Sequence, residues 1–193
     1  MNPSQSNDLA DPGISFPRVS AQPFPRYRFL PGRNPHPTSN PLGHSFHPPG
    51  ESEAPVKFHP PQEWRSSRDY SFGCDLYNHA YWWEAHEAWE GLWQLTDKQG
   101  VQGRFLQGLI QVSACHLKIH VGQAAGVRRL HESSSRYLDF VLERTPSEPY
   151  MGLDLRAFRS RVDEYVSAAL SRTDGALRHD PATYPYIKLS MPE

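Results

Sequence analysis

Proline divides this chain into two stretches with different folding options. Of its 19 prolines, 14 lie between Pro3 and Pro61, and none lies between Gln62 and Thr145. A proline carries no backbone N–H and pushes the residue before it toward extended geometry. The first 61 residues therefore cannot hold a long helix, and they show little strand alternation either. The stretch that follows lacks the strongest helix breaker.

The expected organisation is an extended arm over 1–61, a helical domain over 62–171 and an irregular tail over 172–193. Within the arm, residues 1–20 read as a mobile terminus. Residues 23–47 differ, because Phe24, Tyr27, Phe29, Leu30 and Phe46 stand among the turn residues. So many large apolar side chains predict a segment packed on the helical domain, and residues 48–61 then form a second flexible link. The helical domain divides into five helices, near 64–78 with a break at Gly73, 81–95, 101–121, 123–144 and 153–170. A turn at Asn78–Ala80 parts the first two, and Gly122 suits the end of the third. Short connections predict antiparallel neighbours. The class is all-α, an antiparallel bundle of about five helices with the proline-rich arm packed on it. Gly108 and Gly126 fall inside helices, where close packing is the usual compensation.

Composition narrows the function. Twenty basic residues against 21 acidic ones leave a net charge of −1, which argues against a general binder of nucleic acid or membrane surfaces. No apolar run is long enough to span a bilayer, and the first residues lack the pattern of a secretory signal. Cys74 and Cys115 form no metal-type spacing and read as two buried thiols. The expected location is the cytoplasm. No phosphate-binding loop, dinucleotide fingerprint or nucleophile elbow is present. The partner is left as a small molecule or a protein of unknown identity, and an apolar bundle face leaves a homo-oligomer open.

The chemistry concentrates in YWWEAHEAWEGLW. At about 100° per residue, Tyr81, Trp82, Ala85, Ala88, Trp89, Leu92 and Trp93 make one apolar arc. Trp83, Glu87 and Gln94 lie opposite, where Trp83 is placed to pack under the arm. His86 falls at one edge of the arc and Glu84 at the other, so these two cannot share an ion. His86 and Glu90, at i and i+4, converge, and Glu87 and Glu90 can share a site at i and i+3. The next helix offers His116 and His120, again one turn apart on the apolar arc, as further metal ligands. Gln107 and Gln111 lie on another side. His36 and His44 of the arm are candidate extra ligands reaching across the bundle. Beside this stands a plainer account: the motif is a buried polar network in which Glu84, Gln107 and Gln111 fix helix register.

The segment YNHAYWWEAHEAWEGLW, followed by FLQGLIQVSACHLKIHVGQAAGVRRL, resembles the bacterial and archaeal domain of unknown function 309. The matching residues are Glu84, Ala85, His86, Glu87, Glu90 and Trp93, then Leu106 to Gln111, then Gly122, and the resemblance covers about 70–142. It implies a small all-helical bundle and a metal-dependent hydrolase of unspecified substrate. His116 and His120 are not part of that signature.

Two functional readings follow. In the first, the chain is a metal-dependent hydrolase with a polar site inside the bundle. A divalent ion is held there by His86 and Glu90 with help from His116, His120 or an arm histidine, and Glu87 is the general base. In the second it is a non-catalytic interaction or scaffold module, and EAHE-x-x-E is a structural network.

Overall fold

A computed structural model of the chain describes residues 16–51, 54–146, 149–172, 177 and 179–190. A short 3-10 helix, Pro61–Ser66, leads into five α-helices: α1 (Arg68–Asn78), α2 (Trp82–Gln94), α3 (Val101–His120), α4 (Ala124–Arg144) and α5 (Leu155–Leu170). The fold is all-α, and the described residues contain no strand beyond isolated bridges. Successive helices pack on one another in chain order. The expected mobile terminus over 1–20 lies mostly outside the described residues.

Local chemistry sets the ends of these helices. The Ser67 hydroxyl accepts the Tyr70 amide and starts α1, and the Asp154 carboxylate accepts the Ala157 amide and starts α5. Beyond α3, Gly122 takes φ +72°, and Gln123 N–H reaches back to the Lys118 carbonyl. That is the glycine stop the sequence predicts. Between α1 and α2 the same device uses Ala80 at φ +63°, with Tyr81 N–H donating to the Leu76 carbonyl. A non-glycine residue in this region is strained, so packing holds the turn.

The break expected at Gly73 does not occur. The chain breaks at Ser67 instead, and α1 runs through Gly73. There the indole of Trp89 fills the space a Cβ would need, so the glycine serves helix contact rather than a kink. Gly108 likewise gives room to Leu138 of α4. The core is strongly aromatic, with Tyr70, Tyr77, Trp82, Trp89, Phe105 and Phe158 fully buried. Both cysteines are free and buried, and burial pushes the Cys115 thiol up to about 12. Among the described residues, no helix is long and apolar enough to cross a membrane.

The arm packs along α1 and α2, anchored by two buried carboxylates. Asp75, with no exposure, accepts the Val19 and Ser20 amides at 2.8 Å each. Glu84 accepts the Phe29 amide at 2.8 Å and His44 Nε2 at 2.9 Å. Trp83 lies under the arm against Phe29, His36 and His44, and Phe24 stacks on Phe72 and Tyr81. The tail is anchored from the same helices. The Asn78 amide exchanges two 2.8 Å hydrogen bonds with the backbone of Ile187, while Trp82 Nε1 donates to the Tyr184 hydroxyl.

Candidate metal centre

Two faces of α2 separate the acids of its motif. Trp82, Ala85, Trp89 and Leu92 turn into the bundle, and Glu84 is buried beside them under the arm. His86, Glu87 and Glu90 lie together on the other side. Their three donor atoms fall within 4.8 Å of one another, the single cluster of this kind among the described residues. His86 Nε2 stands 3.3 Å from Glu90 Oε2.

The i and i+4 spacing therefore brings His86 and Glu90 together as the sequence predicts, but not in the interior. Their side chains are 32% and 41% exposed, and Glu87 is exposed. The site lies on the rim of the bundle. Trp82 and Trp89 occupy the interior positions of this helix, which leaves the edge of the arc for the ionisable pair. A charge on the edge keeps part of its hydration, whereas full burial would require complete pairing.

Partial burial lowers the His86 pKa, against the opposing pull of Glu90. A neutral imidazole has a lone pair to give. Ligands about 2.1 Å from a tetrahedral ion stand about 3.4 Å apart, close to the 3.3 Å between His86 Nε2 and Glu90 Oε2. One imidazole and two carboxylates form a mixed nitrogen and oxygen donor set, suited to zinc, manganese or iron rather than to a thiolate-seeking metal. The residues present thus fit a divalent ion.

The other candidates are elsewhere. His116 is 1% exposed and 2.9 Å from the Tyr77 hydroxyl through Nε2. Rings of Tyr165 and Tyr184 stand about 5 Å away. The Tyr77 hydroxyl donates to the Pro185 carbonyl, so it accepts from His116 Nε2–H, and Nδ1, which has no hydrogen bond, carries the lone pair. Burial holds this imidazole well below its ordinary pKa, helped by His179 and His131. His116 is a core histidine with its directional bond already made. His120 sits against the Trp82 ring. Burial lowers its pKa, with Arg33 and Arg28 adding to the effect. Neither joins His86.

The arm histidines do not reach His86 either. His44 is committed to Glu84, and His36 stacks against Phe29 and Trp83. Glu84 takes its partners from the arm rather than from Gln107 or Gln111, and Gln111 Oε1 is buried without a hydrogen bond. The expected network of Glu84 with the two glutamines is corrected on this point: an approaching extended chain offers amide donors directly over Glu84.

Two anchoring residues escape the sequence reading, Asp75 and Asn78. A usable signal exists for both. Each is a polar residue on a helix whose neighbours Cys74, Leu76 and Tyr77 are all buried, a placement that demands a hydrogen-bonding partner.

Residues 70–130 match the family model described as Domain of unknown function (DUF309). The matched stretch, 61 of the 193 residues, is similar to the DUF309 family. The DUF309 match takes in α1, α2, α3 and the start of α4, and so includes His86, Glu87 and Glu90. It leaves out the arm and the tail that α1 and α2 anchor. No curated protein and no solved structure matches the chain.

Proposed function

We propose that this protein holds a divalent metal ion at His86 and Glu90, with Glu87 beside them as general base, and acts as a metal-dependent hydrolase. The observation that carries the reading is the meeting of three donor atoms within 4.8 Å on one accessible face of α2. A bound divalent ion supplies Lewis-acid polarisation and a more acidic water. The chain's own contributions are separate. Partial burial lowers the His86 pKa and so favours the neutral imidazole, and Glu90 stands one turn on at 3.3 Å. Glu87, the exposed member, is the carboxylate placed to accept a proton from a water at its oxygen.

Metal analysis of untagged protein, followed by calorimetric titration with zinc and manganese, tests the metal step. One ion per chain is expected. His86→Ala should weaken binding by more than about 100-fold, since even losing a partner of a ligand costs 10–100-fold. Glu87→Gln should abolish hydrolysis of generic ester or phosphoester substrates while metal is still bound. Absence of bound metal, with no thermal shift on adding zinc, manganese or iron, would overturn the reading.

The second reading, a non-catalytic interaction module, draws on Glu84, whose motif carboxylate is spent on holding the arm. If the rim residues serve the same purpose, His86→Ala should lower stability substantially by leaving a partner unpaired. Equal melting temperatures for variant and parent would remove that support.

A further inference from the structure

A second polar feature lies away from α2, where the start of α3 passes the end of α4. An open cleft of about 310 Å³ is lined by Arg104, Arg136, Tyr137 and Phe140, at the small end of the range for organic ligands. Arg104 is half-buried. Its guanidinium carbon lies 5.2 Å from the centre of the Tyr137 ring and 5.7 Å from that of Phe140. One terminal nitrogen meets Gln99 Oε1, and Nε is buried with no hydrogen bond. No carboxylate among the described residues pairs with it.

A partly buried cation normally keeps an ionic partner. The nearby arginines differ from Arg104. Arg136 pairs with Glu132 at 3.1 Å, and Arg144 pairs with Glu143 at 3.2 Å while lying over Phe140. The guanidinium lies over two rings, a cation–π contact that uses none of its N–H donors.

We propose that this cleft binds a phosphate-bearing ligand, with Arg104 as the central donor and Arg136 as the second. A tetrahedral oxyanion accepts the two N–H bonds of a guanidinium fork side by side, and it supplies the negative partner that Arg104 lacks. Arg136 can turn from Glu132, because both are exposed and the surface pair costs little to open. The proposal is independent of the rim metal site.

The test uses the full chain stripped of metal by a chelator, so that phosphate cannot report on an ion at His86. Inorganic phosphate and glycerol phosphate are titrated at low ionic strength and followed by phosphorus NMR. Saturable binding is expected. Arg104→Gln and Arg136→Ala should each weaken it about tenfold or more, the loss of one charge-assisted bond. Arg136 is exposed, so its variant stays folded and keeps the test valid if Arg104→Gln does not. Glu132→Gln should tighten binding by freeing Arg136, and Arg128→Ala, elsewhere on α4, should change nothing. Tighter binding of glycerol phosphate would mark an organic phosphate as the ligand, and equal binding would mark the phosphate group itself. Absence of saturation by about 10 mM, or an Arg128→Ala loss equal to that of Arg136→Ala, overturns the proposal.

Discussion

Glu84 and Glu90 belong to one helix and one motif, yet their surroundings set them to opposite uses. The Glu84 side chain is 4% exposed, and its Oε1 takes hydrogen bonds from both the Phe29 amide and His44. Glu90 is 41% exposed and shares its surroundings with His86 and Glu87. The histidines follow suit: His44 is 5% exposed and committed, while His86 is 32% exposed. Glu84 Oε2 is buried without a hydrogen bond, so what keeps an ion from this acid is its closure under the arm rather than a lack of lone pairs. An acid that keeps its hydration can exchange water for metal. Burial on α2 thus separates the acid that anchors the arm from the acid proposed as a ligand, within a few residues.

The largest effect that sharpens this contrast is expected at Glu84. Glu84→Ala leaves the Phe29 amide and His44 without their acceptor, and breaking a buried pair in this way costs about 3 kcal/mol. In a chain of this size that lowers the melting temperature by about 6–12 °C. The arm should become a site of protease cleavage, while metal affinity at His86 stays as in the parent. Glu84→Gln keeps an acceptor oxygen and should lose less. Unchanged stability in Glu84→Ala, with a loss of metal, would reverse the roles assigned to the two acids.

A smaller effect comes from acid, and it contrasts the inner histidines His116 and His179 with the rim. Burial holds His179 to about 4 from an ordinary 6.5, and His116 lies well below its ordinary value. Both are neutral when folded. The unfolded chain takes up protons on them from about pH 6.5 downward and the folded chain does not. Stability should therefore fall as pH falls below 6.5, by about 1 kcal/mol for each of the two histidines between pH 6.5 and 5.5. Urea midpoints at those two pH values measure it. His179→Gln should flatten part of the slope. A midpoint that holds constant over this range would mean that the imidazoles are not buried as neutral groups.

Much of this was legible in the sequence, for reasons that can be named. Proline-free helices of period 3.6 with Gly122 as a stop gave the helices nearly to the residue, and the arc of α2 correctly placed Trp83 under the arm. Spacing alone brought His86 to Glu90. What spacing could not tell was depth. An edge position on a wheel is compatible with core or rim, and the outcome depends on what the neighbouring chain brings to it. The arm brought amide donors to Glu84, and Tyr77 brought a hydroxyl to His116. Those pairings join residues 39 to 55 positions apart, beyond the reach of any local pattern. The partners of Asp75 and Asn78 were beyond local reach for the same reason, since they lie in the arm and the tail, most of them backbone groups.

The smallest expected change is in stability at Glu90, and its smallness decides between ligand and scaffold for the rim. Glu90→Gln is nearly isosteric and removes one charge from a half-exposed i and i+4 pair. Such pairs are worth little, so the unfolding free energy from urea melts should change by less than about 0.5 kcal/mol. The same change should be large elsewhere. Loss of a ligand carboxylate weakens metal binding, and loss of the negative charge removes the influence that raises the His86 pKa. Proton NMR of the metal-free variant should show the His86 titration moving to lower pH, opposite to what added exposure would do. A destabilisation well above that figure, with an unmoved His86 titration, would make Glu90 a structural acid like Glu84 and erase the distinction between the two faces of the helix.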